Sequence, residues 1–249
     1  MSKIFIPADS MDYWKLAIFG ADEREQKRQA ARLLAEVPRP KNWKKNHSAM
    51  LLARTWLGSR GRFPGSVMRA FEKSSFSVFH SAELLFGLAE YKVPLPPYNR
   101  PASQTDLLII AKGAGGLATI AVEGKVEEDF DELVCEKMKN ASKGRKDRLS
   151  FLCHQLCLQE DQVLQTRYQL LHRTVSALLM AGKLGAKNAL MLVHSFSDKN
   201  EHFDDYSAFA ALFGIEAHPD RVYFAKELNG VNLYLGWVRG DRRHLTMEP

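Results

Sequence analysis

The sequence predicts a mixed α/β fold with a β-hairpin at its centre. Two short apolar runs rich in Ile, Leu and Val, residues 107–110 and 117–122, flank the glycine-rich segment 113–116. Further apolar runs at 189–196, 221–225 and 231–238 alternate with segments that have helical spacing. An order of strand, helix and strand is typical of a mixed sheet covered by helices.

Before the hairpin, the sequence predicts a helical extension over residues 1–75. Helical spacing covers residues 10–36 and ends at Pro38 and Pro40, and a second helix is expected at 48–57 with Ser48 at its start. A third helix is predicted at 76–91, because Phe79, Ala82, Phe86 and Ala89 form one stripe. The proline-rich segment 92–99 then leads into the hairpin in an extended conformation.

The hairpin register brings three charged residues together. With the turn centred between residues 114 and 115, Gly113 faces Gly116 and Asp106 faces Glu123. Side chains alternate between the two faces of a strand, so Lys125 lies on the same face as Glu123. The turn glycines can take the positive φ of tight turns. Because the strands are otherwise apolar on both faces, we expect a central pair covered from both sides.

After the hairpin, the sequence predicts alternating helices and strands. Gln169, His172, Arg173 and Ser176 share one face of the helix at 165–183, and Cys153 and Cys157 are interpreted as core residues of the helix before it. Asn229-Gly230 indicates a tight turn between the last two strands. The remaining elements are an acidic helix at 126–138, an exposed basic loop at 140–147, a helix at about 147–158 and a helix at 203–213. The α/β core is assigned to 76–196, and a C-terminal helix and hairpin to 197–249.

Length and composition fit one globular domain over residues 1–249. The chain has 45% hydrophobic and 26% charged residues, which are ordinary values. No apolar run approaches the roughly 18 to 20 residues needed to cross a bilayer, and the first residues lack a secretory signal pattern. Three cysteines without paired metal-ligand spacing suit a reducing compartment. We therefore expect a cytoplasmic protein that does not bind a membrane.

Asp106, Glu123 and Lys125 have the chemistry needed for metal-assisted hydrolysis of a phosphodiester. Carboxylate oxygens bind a hard divalent cation such as Mg²⁺ or Mn²⁺, which stabilises phosphoryl charge and lowers the pKa of bound water. Lys125 can orient the water or neutralise the developing charge. The alternative is a solvent-facing ion pair at a sheet edge, between Glu123 and either Lys125 or Lys92. Neither a phosphate-binding loop nor a nucleophile elbow is present in the sequence.

An acid followed by Glu123-x-Lys125 resembles the core motif of the PD-(D/E)xK nuclease superfamily, with Asp106 as the first acid. The sequence is also similar to a group of bacterial proteins that share this core. The resemblance covers roughly residues 76–196 and implies a restriction-endonuclease-like fold with Mg²⁺- or Mn²⁺-dependent nuclease activity. It also implies Glu83 as a further metal ligand from the preceding helix and Gln169 as a site residue from a following helix. The alternatives are an ordinary helix-surface acid for Glu83 and a surface amide for Gln169, and Thr105 stands where the family's name places proline.

The charge distribution indicates an anionic partner. The net charge is +6 and the pI is near 9.2, which suits a nucleic acid. The basic cluster at 137–148 is expected to contact phosphates near the site through Lys139, Lys143, Arg145 and Lys146. We predict a nuclease that cuts DNA in preference to RNA. The alternative is a catalytically inactive nuclease-like fold that binds nucleic acid or a protein, and a homodimer is kept as a further hypothesis.

Overall fold

In the part of the chain that the structure describes, a seven-stranded mixed sheet forms the centre, as the α/β prediction requires. The computed structural model describes residues 17–19, 48–59 and 61–241. The strand order is β1-β2-β3-β4-β5-β7-β6. Strands β1 to β4 pair antiparallel in succession, β5 is parallel to both β4 and β7, and β6 is antiparallel to β7. The strands are β1 (Ala17–Phe19), β2 (Glu83–Val93), β3 (Ser103–Gly113), β4 (Gly116–Lys125), β5 (Asn188–Ser195), β6 (Arg221–Leu228) and β7 (Val231–Arg239).

Helices cover both faces of this sheet. The helices are α1 (Ser48–Gly58), α2 (Gly65–Lys73), α3 (Val134–Lys137), α4 (Lys143–Leu156), α5 (Tyr168–Leu184) and α6 (Phe203–Ala211), with a 3-10 turn at Ser77–Phe79. One apolar layer joins α1 and α2 to the sheet and contains Leu107, Ile120 and Leu192. The opposite layer joins α4, α5 and α6 to the sheet and contains Leu108, Ala121 and Val193. The expected coverage of the hairpin from both sides is confirmed.

The hairpin has the predicted register. Leu107 lies opposite Val122, and Gly113 lies opposite Gly116. The two turn glycines have different roles, however. Gly116 has a φ of +88°, whereas a Cβ at Gly113 would lie only 2.3 Å from the carbonyl oxygen of Val78. Glycine at 113 is therefore required because the backbone of the 3-10 turn approaches it closely.

The helix predicted at 76–91 is wrong, because most of this segment is strand β2. Residues from Glu83 to Val93 pair with β3 along its length, from Lys112 down to Ser103. The ladder hydrogen bonds to β3 outweigh the local helical spacing, which is a weak preference that tertiary context often overrides. Residues 17–19 are also strand rather than helix. The rest of the helix predicted at 10–36 lies outside the described residues.

The acidic segment 126–138 is also not the predicted helix, apart from the four residues of α3. The Glu128 carboxylate accepts hydrogen bonds from the backbone N–H groups of Val126 and Glu127, at 3.0 and 3.1 Å. A helix would leave these first N–H groups free, but it would bond those of Val134 and Cys135 internally, and they donate to the carbonyl oxygens of Thr166 and Leu164, each at 2.9 Å. The predicted basic loop is in part the first turn of α4, which begins at Lys143.

The remaining predicted elements in the described part of the chain are confirmed within a few residues. They are α1, α5, β5, α6 and the β6–β7 hairpin, where Asn229 and Gly230 both have positive φ, 52° and 76°. Cys153 is buried as predicted, but Cys157 is exposed, because it ends α4 in a left-handed conformation. None of the described helices is both long enough and apolar enough to cross a membrane.

Candidate functional site

Glu123 lies at the centre of a buried network of charged side chains on the α5 face of β4. Its Oε2 accepts a hydrogen bond from Arg173 Nε at 2.5 Å, and its Oε1 accepts one from Gln169 Nε2 at 2.7 Å. Lys125 Nζ is 3.2 Å from the same Oε1, and both side chains of this ion pair are 4% exposed. Since β4 is the fourth of seven strands, the alternative of a solvent-facing pair at a sheet edge is wrong.

Lys125 is held in place from several sides. Its Nζ donates to the backbone carbonyl of Asp129 and to Gln169 Oε1, each at 3.2 Å. The ammonium also lies 4.7 Å from the ring centroid of Phe130. A buried ammonium needs such partners to offset the loss of hydration. Gln169 thus contacts both Glu123 and Lys125 through its two amide atoms and fixes their relative position.

Asp106 stands beside Glu123 on the neighbouring strand. Its Oδ2 accepts a hydrogen bond from the backbone N–H of Gly124 at 2.8 Å. Burial and then the nearby charge of Glu123 raise the pKa of Asp106 to about 8, although Arg173 and the Gly124 N–H act in the opposite direction. Two adjacent carboxyl groups resist double ionisation. Asp106 is therefore mostly protonated at neutral pH.

Glu90 extends this row of acids onto β2 and was not predicted as a site residue. Ala89 lies opposite Leu107 and Tyr91 opposite Thr105, so Glu90 is adjacent to Asp106. Its φ of +54° is uncommon for a residue other than glycine. Burial raises its pKa, against the effects of a hydrogen bond from Gln104 and the charge of Arg173. The row of three acids, Glu90, Asp106 and Glu123, could have been predicted from the sequence only if β2 had been recognised as a strand.

Arg173 supplies the second cation and links the network to the start of β3. Its Nη1 donates to Ser103 Oγ at 3.2 Å, and Ser103 Oγ is 2.8 Å from His172 Nδ1. Burial alone would lower the pKa of Arg173, but the charges of Glu123, Asp106 and Glu90 outweigh it and the pKa is raised. His172 is neutral, because burial and the nearby charge of Arg173 lower its pKa well below the usual value. The four-residue spacing from Gln169 to Arg173 was a signal that could have identified this arginine.

The structure does not bring Glu83 into this network. Glu83 is exposed at the first position of β2 and pairs with Lys112, near the hairpin turn, whereas Asp106 and Glu123 lie at the other end of the strands. The basis for its assignment, a position on a helix before the hairpin, is absent. Glu90 is the acid of β2 that reaches the site.

The basic residues predicted to bind phosphates lie around the start of α4. Lys139, Lys143 and Lys146 are exposed. Lys143 forms a solvent-exposed ion pair with Asp147, with 3.7 Å between Lys143 Nζ and Asp147 Oδ2. Arg145 is half-buried and donates to the carbonyl oxygen of Lys137 at 3.3 Å. Lys137 in turn stands over the ring of Tyr168, at 5.1 Å from its centroid, next to Gln169. The basic segment thus adjoins the buried network.

The oxygen donors of Asp106 and Glu123 suit a hard divalent cation. A cation between them would also relieve the repulsion that raises the pKa of Asp106. Both Glu123 oxygens already have partners, so a cation would have to replace one of them. Within residues 48–59 and 61–241, no group of three or more His, Cys, Asp or Glu side chains is arranged to hold a metal ion. The oxygen ligands for a divalent cation at this site would then be those of Glu123 and Asp106, completed by oxygens from substrate or water.

Fold and site together define a mixed α/β protein with a buried acid–base cluster at the open end of its central hairpin. The chain belongs to the family described as Domain of unknown function (DUF6946), whose model matches residues 25–242. Comparison with curated proteins and with solved structures finds no match.

Proposed function

We propose that this protein is a divalent-metal-dependent nuclease of the PD-(D/E)xK, restriction-endonuclease-like class. The observation that carries the proposal is the juxtaposition of Asp106 and Glu123 on adjacent strands, with Lys125 Nζ 3.2 Å from Glu123 Oε1. The mixed sheet with its central hairpin between two helical layers is consistent with this class. Asp106 and Glu123 would hold Mg²⁺ or Mn²⁺, and the bound ion would stabilise phosphoryl charge and activate water.

The remaining side chains prepare the site for a phosphodiester, most readily one of DNA. Lys125 places a fixed positive charge next to Glu123, where it neutralises charge that develops on a phosphoryl oxygen or orients the attacking water. Gln169 holds Lys125 and Glu123 at a constant separation, and Arg173 restricts the Glu123 carboxylate from the other side. Metal binding would replace one of these Glu123 contacts, while Lys125 would keep its bonds to Gln169 and Asp129 and stay in place for the substrate.

The structure offers a matched pair of variants for testing this proposal. Asp106→Asn replaces a mostly protonated carboxyl with a neutral amide of the same shape, so the fold should persist while the carboxylate that would bind the metal is lost. Glu83→Gln alters an acid at the opposite end of β2 and serves as the control. We expect the wild type and Glu83→Gln to cut DNA, as plasmid or as a single strand, with Mg²⁺ or Mn²⁺. Asp106→Asn and Lys125→Ala should lose about 100-fold or more in rate.

The nuclease proposal fails if neither metal supports cleavage above the Asp106→Asn background on plasmid, linear duplex and single-stranded substrates. It also fails if Asp106→Asn cuts as fast as Glu83→Gln. Thermal unfolding of each variant without metal shows whether a loss of activity reflects a loss of the fold.

A second candidate is a nuclease-like fold that binds nucleic acid or protein without cutting. The observation that favours it is the engagement of both Glu123 oxygens by Arg173, Gln169 and Lys125. Metal-induced thermal stabilisation separates the two candidates, because a ligand that binds the folded state raises stability by mass action. A shift with millimolar Mn²⁺ that Asp106→Asn abolishes favours the nuclease. Salt-dependent DNA binding without any such shift favours the binding module.

A further inference from the structure

The loop between β2 and β3, residues 94–102, displays an exposed aromatic ring. Tyr98 is 75% exposed, whereas the other exposed large hydrophobic side chains of the described residues are at most 42% exposed. An isolated aromatic ring in water contributes no packing to the core. The face of the Tyr98 ring is available for stacking with a planar partner.

The backbone that carries Tyr98 is fixed by a buried arginine. Arg148 of α4 donates to the carbonyl oxygens of Leu95, Pro96 and Pro97, at 2.7, 3.2 and 3.1 Å, and also to that of Pro101. Leu95 is itself 1% exposed and anchors the start of the loop in the core. A ring on a fixed backbone loses little conformational entropy when it binds.

The surroundings of Tyr98 are positively charged. Arg100 Nη1 donates to Ser142 Oγ at 3.0 Å, which places the guanidinium at the start of α4. Residues 137–148 contain six Lys and Arg residues and a single acid, Asp147. Exposed cations next to an exposed ring are the combination by which proteins bind strands that carry both bases and phosphates.

This loop adjoins the proposed catalytic site. Val93, at the end of β2, pairs with Ser103, at the start of β3, so both ends of the loop lie at the site end of the sheet. Ser103 Oγ accepts a hydrogen bond from Arg173 Nη1, and Arg173 Nε donates to Glu123. The loop that carries Tyr98 is therefore linked to Glu123 through Ser103 and Arg173.

We propose that Tyr98, Arg100, Lys139, Lys143 and Lys146, the aromatic-basic surface, bind a single-stranded nucleic acid with one base stacked on Tyr98. A base inside a duplex has both faces covered by its neighbours and cannot stack on a protein ring, which favours an unpaired strand or end. The inference names the substrate class of the proposed nuclease and in that respect rests on it. Binding at this surface needs neither metal nor cleavage.

Binding to a labelled oligonucleotide in EDTA tests this surface directly. We expect Tyr98→Ala to raise the Kd for a single strand of about 15 nucleotides by roughly 5- to 100-fold, the effect of losing one stacked base. Tyr98→Phe keeps the ring and should stay within about twofold of the wild type. The control is Leu184→Ala, an exposed apolar residue at the opposite end of α5 from Gln169, which should leave Kd unchanged. The slope of the logarithm of the binding constant against the logarithm of the salt concentration should become shallower by about 0.7 in Arg100→Gln, because one phosphate contact is lost.

Three outcomes would contradict the proposal that the aromatic-basic surface binds a single strand. They are no single-strand binding by the wild type, an unchanged Kd in Tyr98→Ala, and an equal loss of duplex and single-strand affinity in Tyr98→Ala. DNA and RNA oligonucleotides of one sequence show which of the two is preferred. Failure of the nuclease proposal gives a different pattern, because single-strand binding in EDTA would still depend on Tyr98 while neither metal supports cleavage. If Tyr98→Ala still cleaves and its Kd is unchanged, only the proposal for the aromatic-basic surface is contradicted, and the nuclease proposal stands.

Discussion

At the scale of single residues, the central feature is an acid that keeps its proton. Asp106 lies beside Glu123 and Glu90 with Arg173 and Lys125 as the nearby cations. With Asp106 protonated, no further negative charge stands beside Glu123, whose carboxylate is paired with Arg173 and Lys125. A buried cluster of this kind avoids the large cost of an uncompensated charge.

The raised pKa of Asp106 predicts how stability changes with pH in the metal-free protein. The ordinary pKa of an aspartate is 3.8, and in the folded state Asp106 has a pKa of about 8. Between these values the folded protein binds a proton that the unfolded chain has released, so the free energy of unfolding falls as pH rises from about 4 to about 8. The full loss is about 6 kcal/mol at most.

Urea unfolding of the wild type and Asp106→Asn in EDTA measures this effect. The amide of the variant has no proton to release, so the stability of the variant relative to the wild type should increase by several kcal/mol from pH 5 to pH 9. A difference in stability that stays constant over this pH range would show that Asp106 is not held in its protonated form.

At the scale of elements, two glycines have opposite conformational roles. Gly230 has a φ of +76° in the turn between β6 and β7, a conformation that side chains disfavour. Gly182 lies within α5, and a Cβ built there would meet no atom within 4 Å. Alanine should therefore be unfavourable in the turn and favourable in the helix.

Thermal and urea unfolding of these two variants measures the contrast. Gly230→Ala should lower the free energy of unfolding by about 1–2 kcal/mol, and Gly182→Ala should raise it by about 0.5–1 kcal/mol. Neither glycine contacts the candidate site, so nucleic-acid binding should be unchanged in both variants. Equal effects of the same sign would contradict the assigned backbone conformations.

At the scale of the whole molecule, the two apolar layers share one sheet. Leu192 and Val193 are adjacent residues of β5 with 0% exposure, but Leu192 packs in the α1–α2 layer and Val193 in the α4–α5–α6 layer. Since β5 is hydrogen-bonded to both β4 and β7, loosening either layer weakens the same strands. We expect the two layers to unfold together.

Truncation on each side of β5 tests this cooperativity. Leu192→Ala and Val193→Ala should each destabilise the protein by about 2–4 kcal/mol. Trp56 belongs to the first layer and Trp237 to the second, so variants that keep one of these two and carry Phe at the other three Trp positions report on each layer. In each variant the fluorescence transition should coincide with the far-UV circular dichroism transition, and two separated transitions would mean that the layers fold independently.

The sequence predicts those parts of the fold that depend on neighbours along the chain. The hairpin register follows from a turn centre and a period of two, so the proximity of Asp106, Glu123 and Lys125 could be derived by counting. Glu90 could not, because the pairing of β2 with β3 decides its position. The helix predicted at 126–138 is wrong because the backbone N–H groups of Val134 and Cys135, which such a helix would bond internally, donate to the carbonyl oxygens of Thr166 and Leu164. Gly113 looked like a turn residue, and only the approach of Val78 shows its actual role.

The position of β4 between β3 and β5 has a consequence for how this protein could work on a large polymer. β4 is hydrogen-bonded to β3 as far as Val122 and to β5 as far as Lys125, so the backbone of Glu123 and Lys125 is held within the sheet. Under the nuclease proposal, the acid and the lysine would therefore not move to a substrate. A polymer would have to adapt its own shape to reach them, because the backbone of the neighbouring loop at 94–102 is also held in place, by Arg148.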